Sequence, residues 1–112
     1  MTDLILAIDQ GTTGSTIALM DTDGRLLTSV NHEFPQIFPQ PGWVEHDPES
    51  IWQSVLKGLT AIFSGTQYAV SQVAAIGITN QRETAVLWDS QTGEAVHNAI
   101  VWQCRRTTDV CE

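Results

Sequence analysis

Two neighbouring residues of opposite charge, Arg82 and Glu83, follow the apolar run VAAIGIT. A hydroxyl group both donates and accepts a hydrogen bond, so a guanidinium beside a carboxylate can grip adjacent hydroxyls of a small polyol. Trp102 ends the later run AIVW and offers a flat wall for the C–H side of such a molecule. The alternative is a solvated pair on the surface that contributes little. The residues alone leave both interpretations open.

A second candidate for chemistry is the segment DQGTTGS, which follows the apolar run LILAI. Asp9 offers a carboxylate oxygen of the kind that holds a hydrated Mg²⁺. Gly11 permits a tight turn, and the hydroxyls of Thr12, Thr13 and Ser15 stand beside backbone N–H groups. Such a combination can surround phosphate oxygens. The alternative is an ordinary turn whose polar side chains satisfy the local backbone.

The elements that must position these residues alternate between strands and helices. The runs LILAID, TIALMD and RLLTSVNHEF predict an antiparallel meander, with a hairpin turn in which Gly24 takes a positive φ. Asp47 as N-cap and Pro48 at the first helical position begin a helix that ends near Gly65. VAAIGIT predicts a further strand. Because LILAID and VAAIGIT are almost wholly apolar, we expect both strands to be buried, LILAID on both of its faces.

Apolar residues at helical spacing predict the buried face of this helix. They are Ile51, Trp52, Val55, Leu56, Leu59, Ile62 and Phe63. Farther along, ETAVLWDSQTGEAVHNAIVW predicts a second hairpin that turns between Asp89 and Gly93, and CRRTTDVCE predicts the start of another helix. The order β-β-β-α-β differs from dinucleotide-binding and P-loop folds, in which a glycine-rich loop joins a strand to a helix.

Composition narrows the class of protein. The chain has 112 residues, 42% of them apolar, and a net charge of −8, which is typical of one globular domain and disfavours nucleic acid or anionic lipid as partners. No apolar run approaches the roughly 20 residues that span a bilayer, and the N-terminus does not resemble a signal peptide. Cys104 and Cys111 suit a reducing compartment and are expected to be small core residues. We therefore expect a cytoplasmic protein. The three scattered histidines form no ligand pattern and are interpreted as structural or surface residues.

Four segments, in this order and at this spacing, carry a resemblance to a known family: AIDQGTTGS, PGWVEHDPESIW, AAIGITNQRET and NAIVWQCRRT. They resemble the glycerol kinases, a branch of the FGGY carbohydrate kinases in the actin/hexokinase/Hsp70 ATPase superfamily. The resemblance runs from Met1 to Glu112. It implies an α/β fold with a ribonuclease-H-like mixed sheet in the order β-β-β-α-β, an additional β-hairpin and a truncated end. The chain would then be the N-terminal part of the family's first domain, which binds substrate and phosphate.

The resemblance also implies roles for the candidate residues near the N-terminus. Asp9 matches the acidic residue near the nucleotide-bound Mg²⁺, which it would reach through water. Gly11, Thr12 and Thr13 match the phosphate loop. The implied cofactors are ATP and Mg²⁺.

For the acceptor, Arg82 and Glu83 match the pair that contacts the hydroxyls of glycerol, and Trp102 matches the aromatic wall beside its carbons. The implied reaction transfers the γ-phosphoryl group of ATP to a terminal hydroxyl, which gives glycerol 3-phosphate. Such chemistry depends mainly on positioning and charge neutralisation.

The sequence departs from the resembled pattern in two respects. Gly14 and Thr16 stand where these kinases commonly have a serine and an arginine. Family members are also several times longer, and their catalytic-base aspartate lies beyond Glu112. We therefore expect the 112-residue chain to be inactive alone, with no catalytic base of its own, and to form a homo-oligomer through its open sheet edge. Two alternatives remain: a kinase for another polyol or sugar, and a stand-alone, non-catalytic module of the same fold.

Overall fold

The computed structural model describes residues 2–111, which form a four-stranded sheet with one long helix on one face. In chain order the elements are β1 (Leu4–Gln10), β2 (Gly14–Met20), β3 (Leu26–Glu33), β4 (Glu45–His46), α1 (Pro48–Phe63), β5 (Val73–Asn80), β6 (Ala99–Ile100) and α2 (Thr108–Cys111). The sheet order is β3-β2-β1-β5, in which β1 to β3 form an antiparallel meander and β5 runs parallel to β1. β4 and β6 form a separate two-stranded antiparallel sheet. The predicted α/β class and element order are confirmed, with β4 as an unpredicted short addition.

The turn between β2 and β3 has the predicted chemistry. The Asp21 carboxylate accepts hydrogen bonds from the backbone N–H groups of Asp23 at 2.9 Å and Arg25 at 2.8 Å. Gly24 has a φ of 84°, a conformation that costs glycine little. The side chain of Asp21 thus stabilises the turn that joins β2 to β3.

The core lies between the sheet and α1. Leu6 pairs with Leu19 and Ile8 with Ile17, so alternate residues of β1 and β2 point to the same face. The buried cluster on that face consists of Leu4, Leu6, Ile17, Leu19, Val55 and Ile62. This alternation of buried and partly exposed residues is typical of a sheet with a helix on one side.

Helix α1 begins and ends as predicted. The Asp47 carboxylate accepts a hydrogen bond from the backbone N–H of Glu49 at 3.0 Å, which satisfies one of the free donors of the first turn. Past the helix, Gly65 has a φ of 67°. The prediction that Trp52 belongs to the buried face is wrong, because its side chain is 53% exposed. It faces a groove shared with Trp88 of the second hairpin instead of the sheet.

The prediction that VAAIGIT is buried is also wrong. It forms β5, but Ile76 and Ile78 are 59% and 72% exposed. Since α1 packs mainly over β2 and β3, it does not reach across β1 to cover the edge strand. The expectation that β1 is buried on both faces is wrong as well, because α1 lies on one face of the sheet: Leu6 on that face is buried, whereas Ile5 and Ala7 on the opposite face are half-buried.

The second hairpin turns where the sequence predicts. The N–H of Asp89 donates to the carbonyl of Glu94 at 2.8 Å, and Gly93 has a φ of 75°. Beyond the turn, Trp88 pairs with Ala95 through an isolated bridge in place of a continuous ladder. The hairpin is therefore irregular, and β6 near its end pairs with β4.

The predicted C-terminal helix is confirmed as α2, but the expectation for the cysteines is wrong. Cys111 is exposed and Cys104 is only half-buried, because this segment lies on the surface of the described residues. Within residues 2–111, no helix is long and apolar enough to cross a bilayer.

Helix α1 packs closely on β2 at Gly58, and this contact should contribute to the stability of the fold. A Cβ at Gly58 would collide with the side chain of Ile17, which is fully buried and has no room to move. We expect Gly58→Val to lower the free energy of unfolding by roughly 1–3 kcal/mol through overpacking. Thr60→Val, at an exposed position of the same helix, is the matched control, with an expected change of about 0.5 kcal/mol or less. Denaturant unfolding of both variants checks this, and equal stability of the two would contradict it.

Candidate functional site

The parallel pairing of β1 and β5 brings the two candidate segments together. In this pair Gln10 lies beside Asn80, so both strands end at the same edge of the sheet. The loop at residues 11–13 follows β1, and the loop at 81–84 follows β5. Ligands of open α/β sheets commonly bind at the carboxyl ends of strands. Segments that are about seventy residues apart in the sequence thus become neighbours through sheet topology.

These loops and Trp102 enclose a cleft of about 400 Å³. The residues that line it are Thr12, Asn80, Gln81, Arg82, Glu83 and Trp102. The indole N–H of Trp102 donates a hydrogen bond to the hydroxyl of Thr12 at 3.0 Å. That bond joins the predicted acceptor wall to the predicted phosphate loop, while the indole remains 51% exposed toward the cleft and solvent.

Arg82 and Glu83 are both exposed, and they do not pair with each other. The ion pair within 4 Å found among residues 2–111 joins Arg106 to Glu45. Glu83 has a φ of 56°, in the left-handed region that a non-glycine residue enters at a cost of about 1–2 kcal/mol. Backbone strain of this kind concentrates at functional sites. The turn at Glu83 leaves both charged side chains free to contact a ligand in the cleft.

The remaining residues of the predicted phosphate site lie at the end of β1 and in the loop after it. Asp9 is exposed near the end of the strand. The N–H of Gly11 donates to the carbonyl of Gly14 at 2.9 Å, and the carbonyl of Thr13 accepts from the N–H of Phe34 at 3.3 Å. These bonds tie a three-residue loop to β2 and to the end of β3.

The donor set at Asp9 fits a hydrated metal ion held mainly by a nucleotide. Residues 2–111 contain no group of three or more His, Cys, Asp or Glu side chains that could hold a metal by themselves. Mg²⁺ commonly keeps several waters and binds one or two carboxylates together with phosphate oxygens. A single exposed carboxylate beside the predicted phosphate loop meets that requirement.

Ser15 does not belong to this loop, contrary to the sequence interpretation. It is fully buried, and its hydroxyl lies 2.7 Å from the hydroxyl of Ser54 in α1. Because Ser15 begins the inward-facing row of β2, its side chain points to the helix and away from the cleft. Its hydroxyl therefore contributes to the packing of α1 on the sheet.

The structure gives a reason for both departures from the resembled pattern. A Cβ at Gly14 would stand 2.8 Å from the carbonyl oxygen of His32, so the close pairing of β2 with β3 requires glycine here. The Thr16 hydroxyl accepts a hydrogen bond from the amide of Asn31 at 2.8 Å, across the same pair of strands. Both residues thus serve the sheet in this chain.

His46 is a structural residue, as expected, but no sequence pattern indicated its partners. Its ring is fully buried, with Nε2 2.6 Å from Oε1 of Gln36 and Nδ1 3.1 Å from Nε2 of Gln81. Burial lowers the pKa of His46 from its ordinary value, since the charged form would lose its hydration. Its partners lie ten residues before it and thirty-five residues after it, so no local pattern could have revealed them.

A partly buried ion pair supports the segment that carries Trp102. The guanidinium of Arg106 donates to Glu45 at 2.6 Å and lies 3.9 Å from the centre of the Trp43 ring. The hydrogen bond from Arg106, and then one from Asn98, holds the pKa of Glu45 below its usual range. Arg106 therefore faces Glu45 and does not line the cleft of Arg82 and Glu83.

Stability should depend on pH through His46. In the unfolded chain its pKa is about 6.5, whereas burial holds the pKa of the folded form lower. Between the two values the unfolded state binds more protons, so the free energy of unfolding should fall as the pH drops below about 6.5. Unfolding curves at several pH values check this. His46→Gln should remove this component, and His97→Gln, at an exposed position, should retain it. An unchanged pH profile in His46→Gln would contradict the assignment.

Comparison with known proteins agrees with the fold. Residues 4–112 match the N-terminal domain of the FGGY family of carbohydrate kinases, and the chain belongs to that family. A glycerol kinase of Symbiobacterium thermophilum is 61% identical over 107 residues, which are 96% of this chain and 22% of the relative.

Two solved structures extend the comparison. A Plasmodium falciparum glycerol kinase crystallised with ADP has a TM-score of 0.79 and 32% identity, over 97% of this chain and 22% of the other. A ligand-bound xylulose kinase from Lactobacillus acidophilus has a TM-score of 0.85 and 25% identity, over 96% of this chain and 21% of the other. The chain thus spans about a fifth of the length of these relatives.

Proposed function

We propose that this chain supplies the acceptor grip and the phosphate loop of an ATP-dependent kinase that converts glycerol to glycerol 3-phosphate. The observation that carries the proposal is the hydrogen bond between Trp102 and Thr12, in one cleft with Arg82 and Glu83. Phosphoryl transfer requires the acceptor and the nucleotide phosphates to meet, and this bond brings the groups proposed for each within contact of the other. Similarity to the Symbiobacterium thermophilum glycerol kinase supports glycerol as the acceptor.

In this proposal the opposite charges of Arg82 and Glu83 both bind the hydroxyl groups of glycerol. Arg82 donates to hydroxyl oxygens of glycerol, and Glu83 accepts the hydroxyl protons, so each hydroxyl meets both a donor and an acceptor. The exposed indole of Trp102 covers the carbon backbone. Since the two side chains do not pair with each other, binding glycerol does not require an ion pair to be broken.

The nucleotide side of the site depends on the loop after β1. Gly11 forms the tight turn, with its own N–H bonded to the carbonyl of Gly14, and Thr12 and Thr13 provide backbone N–H groups and hydroxyls for the phosphates of ATP. When Mg²⁺ is bound with the nucleotide, it neutralises phosphate charge, and Asp9 would hold it through water. The catalytic base and the adenosine-binding part are proposed to lie outside this chain, in a longer protein.

An activity assay tests the proposal directly. Purified full-length protein that contains this segment should form glycerol 3-phosphate from glycerol and ATP, in a manner that depends on Mg²⁺. The 112-residue chain alone should form none above background, because it holds only one side of each site. ATP turnover that does not respond to glycerol would contradict the acceptor, and activity of the short chain would contradict the division of the site.

A second candidate is a kinase for another polyol or sugar. The likeness to a xylulose kinase favours it, because the phosphate loop does not discriminate among acceptors. Thermal shifts of the full-length protein with glycerol, erythritol, xylulose and ribulose separate the two candidates. The largest stabilisation should come from glycerol. A larger shift with xylulose or ribulose would favour the second candidate.

We further propose a cytoplasmic location, in agreement with the two free cysteines. A homo-oligomer of the isolated chain is proposed from the outer edge of β5, which pairs with no second strand within residues 2–111 and carries the exposed Ile76 and Ile78.

A further inference from the structure

A single line of hydrogen bonds runs behind the cleft, from the loop after β5 to the loop after β1. Its members are Thr84, Gln81, His46, Gln36 and the carbonyl of Thr12. The line begins where the proposed acceptor residues lie and ends at the residue that bonds Trp102. Its central member is the buried histidine.

The contacts of Gln36 determine which atom of each hydrogen bond is the donor. The Gln36 amide nitrogen donates to the carbonyl of Thr12 at 3.1 Å, which leaves Oε1 as the atom that faces His46. An amide oxygen only accepts, so Nε2 of His46 must carry a proton. In a neutral imidazole Nδ1 is then an acceptor.

The other end of the line agrees with this tautomer. Nδ1 of His46 lies 3.1 Å from the amide nitrogen of Gln81, which is a donor. The Gln81 oxygen in turn accepts from the hydroxyl of Thr84 at 3.2 Å. Every bond therefore points the same way, from Thr84 to Thr12. If the ring were charged, Nδ1 would also carry a proton and would face the amide N–H of Gln81, another donor, so this hydrogen bond would be lost.

The surroundings of the ring hold it in place. Phe34 packs edge-on against His46, with ring centres 4.9 Å apart. The backbone N–H of Phe34 also bonds the carbonyl of Thr13, so the same residue contacts both the histidine and the phosphate loop. A ring fixed on three sides can transmit position between its two hydrogen-bond partners.

We propose that His46, as its neutral Nε2–H tautomer, is a positioning residue that holds the acceptor loop and the phosphate loop at a fixed spacing. The proposal rests on the proposed function, but it concerns a residue that does not touch either substrate. Without the imidazole, Gln81 and Gln36 lose their common partner. The guanidinium of Arg82 and the hydroxyl of Thr12 then lose their fixed separation.

The kinetic test uses the full-length protein and variants of the line. His46→Phe keeps a flat ring but removes both hydrogen bonds, and should lower kcat/KM for glycerol roughly 5- to 10-fold. His46→Gln, which can still donate and accept, should recover most of that loss. Unchanged kinetics in His46→Phe, or no recovery in His46→Gln, would overturn the proposal.

A double-mutant cycle distinguishes positioning from a general loss of stability. Gln36→Met and Gln81→Met remove opposite ends of the line, and the two side chains meet only through His46. If the line acts as a unit, the double variant should lose no more activity than the worse single variant. Multiplied losses would show that the two glutamines act independently, and this result would overturn the proposal.

A spectroscopic measurement tests the role of His46 independently of the proposed kinase activity. In full-length protein labelled with ¹⁵N-histidine, the His46 signals are identified by their absence in His46→Gln. They should show protonated Nε2 and unprotonated Nδ1 at neutral pH, with Nδ1 shifted by Gln81→Met and Nε2 by Gln36→Met. The opposite tautomer would overturn the proposal even in an active kinase. If this tautomer were observed but the protein did not phosphorylate glycerol, the proposed function would be rejected and the line of hydrogen bonds would stand.

Discussion

Replacing Arg82 with methionine in the full-length protein is expected to raise the KM for glycerol roughly 10- to 100-fold. The reason is the loss of a hydrogen bond between a charged donor and a hydroxyl, worth about 1.5–3 kcal/mol. Methionine keeps most of the apolar length of the side chain, so the change tests the guanidinium itself. Glu83→Gln should have a similar effect, because the amide no longer offers a charged acceptor to the hydroxyl proton. Steady-state kinetics with glycerol varied at saturating ATP measure both.

Two comparisons make this prediction specific to the acceptor. The KM for ATP should change little in either variant, because the proposed nucleotide contacts lie in the loop after β1. Arg25→Met, at an exposed position beside the hairpin turn between β2 and β3, is the matched control and should leave the KM for glycerol unchanged. If Arg82→Met and Arg25→Met gave the same KM for glycerol, Arg82 would not belong to the acceptor site.

Replacing Asp9 with asparagine is expected to lower kcat about 100- to 1,000-fold, the range seen when a group that stabilises transition-state charge is removed. Asparagine has nearly the same shape as aspartate and keeps one oxygen acceptor, but it lacks the negative charge that a hydrated Mg²⁺ prefers. The Mg²⁺ concentration that gives half-maximal activity should also rise. Titration of activity with Mg²⁺ at fixed ATP measures both effects.

The matched control is Asp23→Asn, in the exposed turn between β2 and β3, which should leave kcat and the Mg²⁺ dependence unchanged. A normal thermal unfolding midpoint of Asp9→Asn would show that lost activity is not lost structure. If kcat fell while the Mg²⁺ dependence stayed that of the unaltered protein, Asp9 would act on catalysis by some route other than the metal.

Local signals in the sequence were sufficient for most of the fold. The turn at Asp21 to Gly24, the N-cap at Asp47 and the stop at Gly65 are each determined by a few adjacent residues. Such features depend on backbone conformation and short-range hydrogen bonds, which follow from residue type. The meander, α1 and the second hairpin were predicted for this reason.

Burial was predicted less well, because it depends on which element covers which face. Ile76 and Ile78 have the composition of a buried strand, yet α1 lies over β2 and β3 and leaves them exposed. Trp52 fits the apolar period of α1 but lies beside the hairpin groove. Periodicity identifies the apolar face of an element and does not tell how much of that face a neighbour covers.

In the candidate site, too, residue types indicate the chemistry, whereas the fold determines the geometry. Residue types alone suggested the polyol grip of Arg82 and Glu83 and the phosphate loop after Asp9, because donors, acceptors and carboxylates have chemistry that can be read directly. The left-handed turn at Glu83 and the bond from Trp102 to Thr12 appear only in the folded chain.

Residue types and short patterns along the chain thus indicate most of the elements, though not β4, and the chemistry of the residues at their ends. Tertiary structure decided which of these residues meet. The parallel pairing of β5 with β1 places two loops at one sheet edge, and burial of His46 joins them from behind. The physical reason is that sheet pairing and burial depend on contacts between residues distant in sequence, which local propensity does not encode.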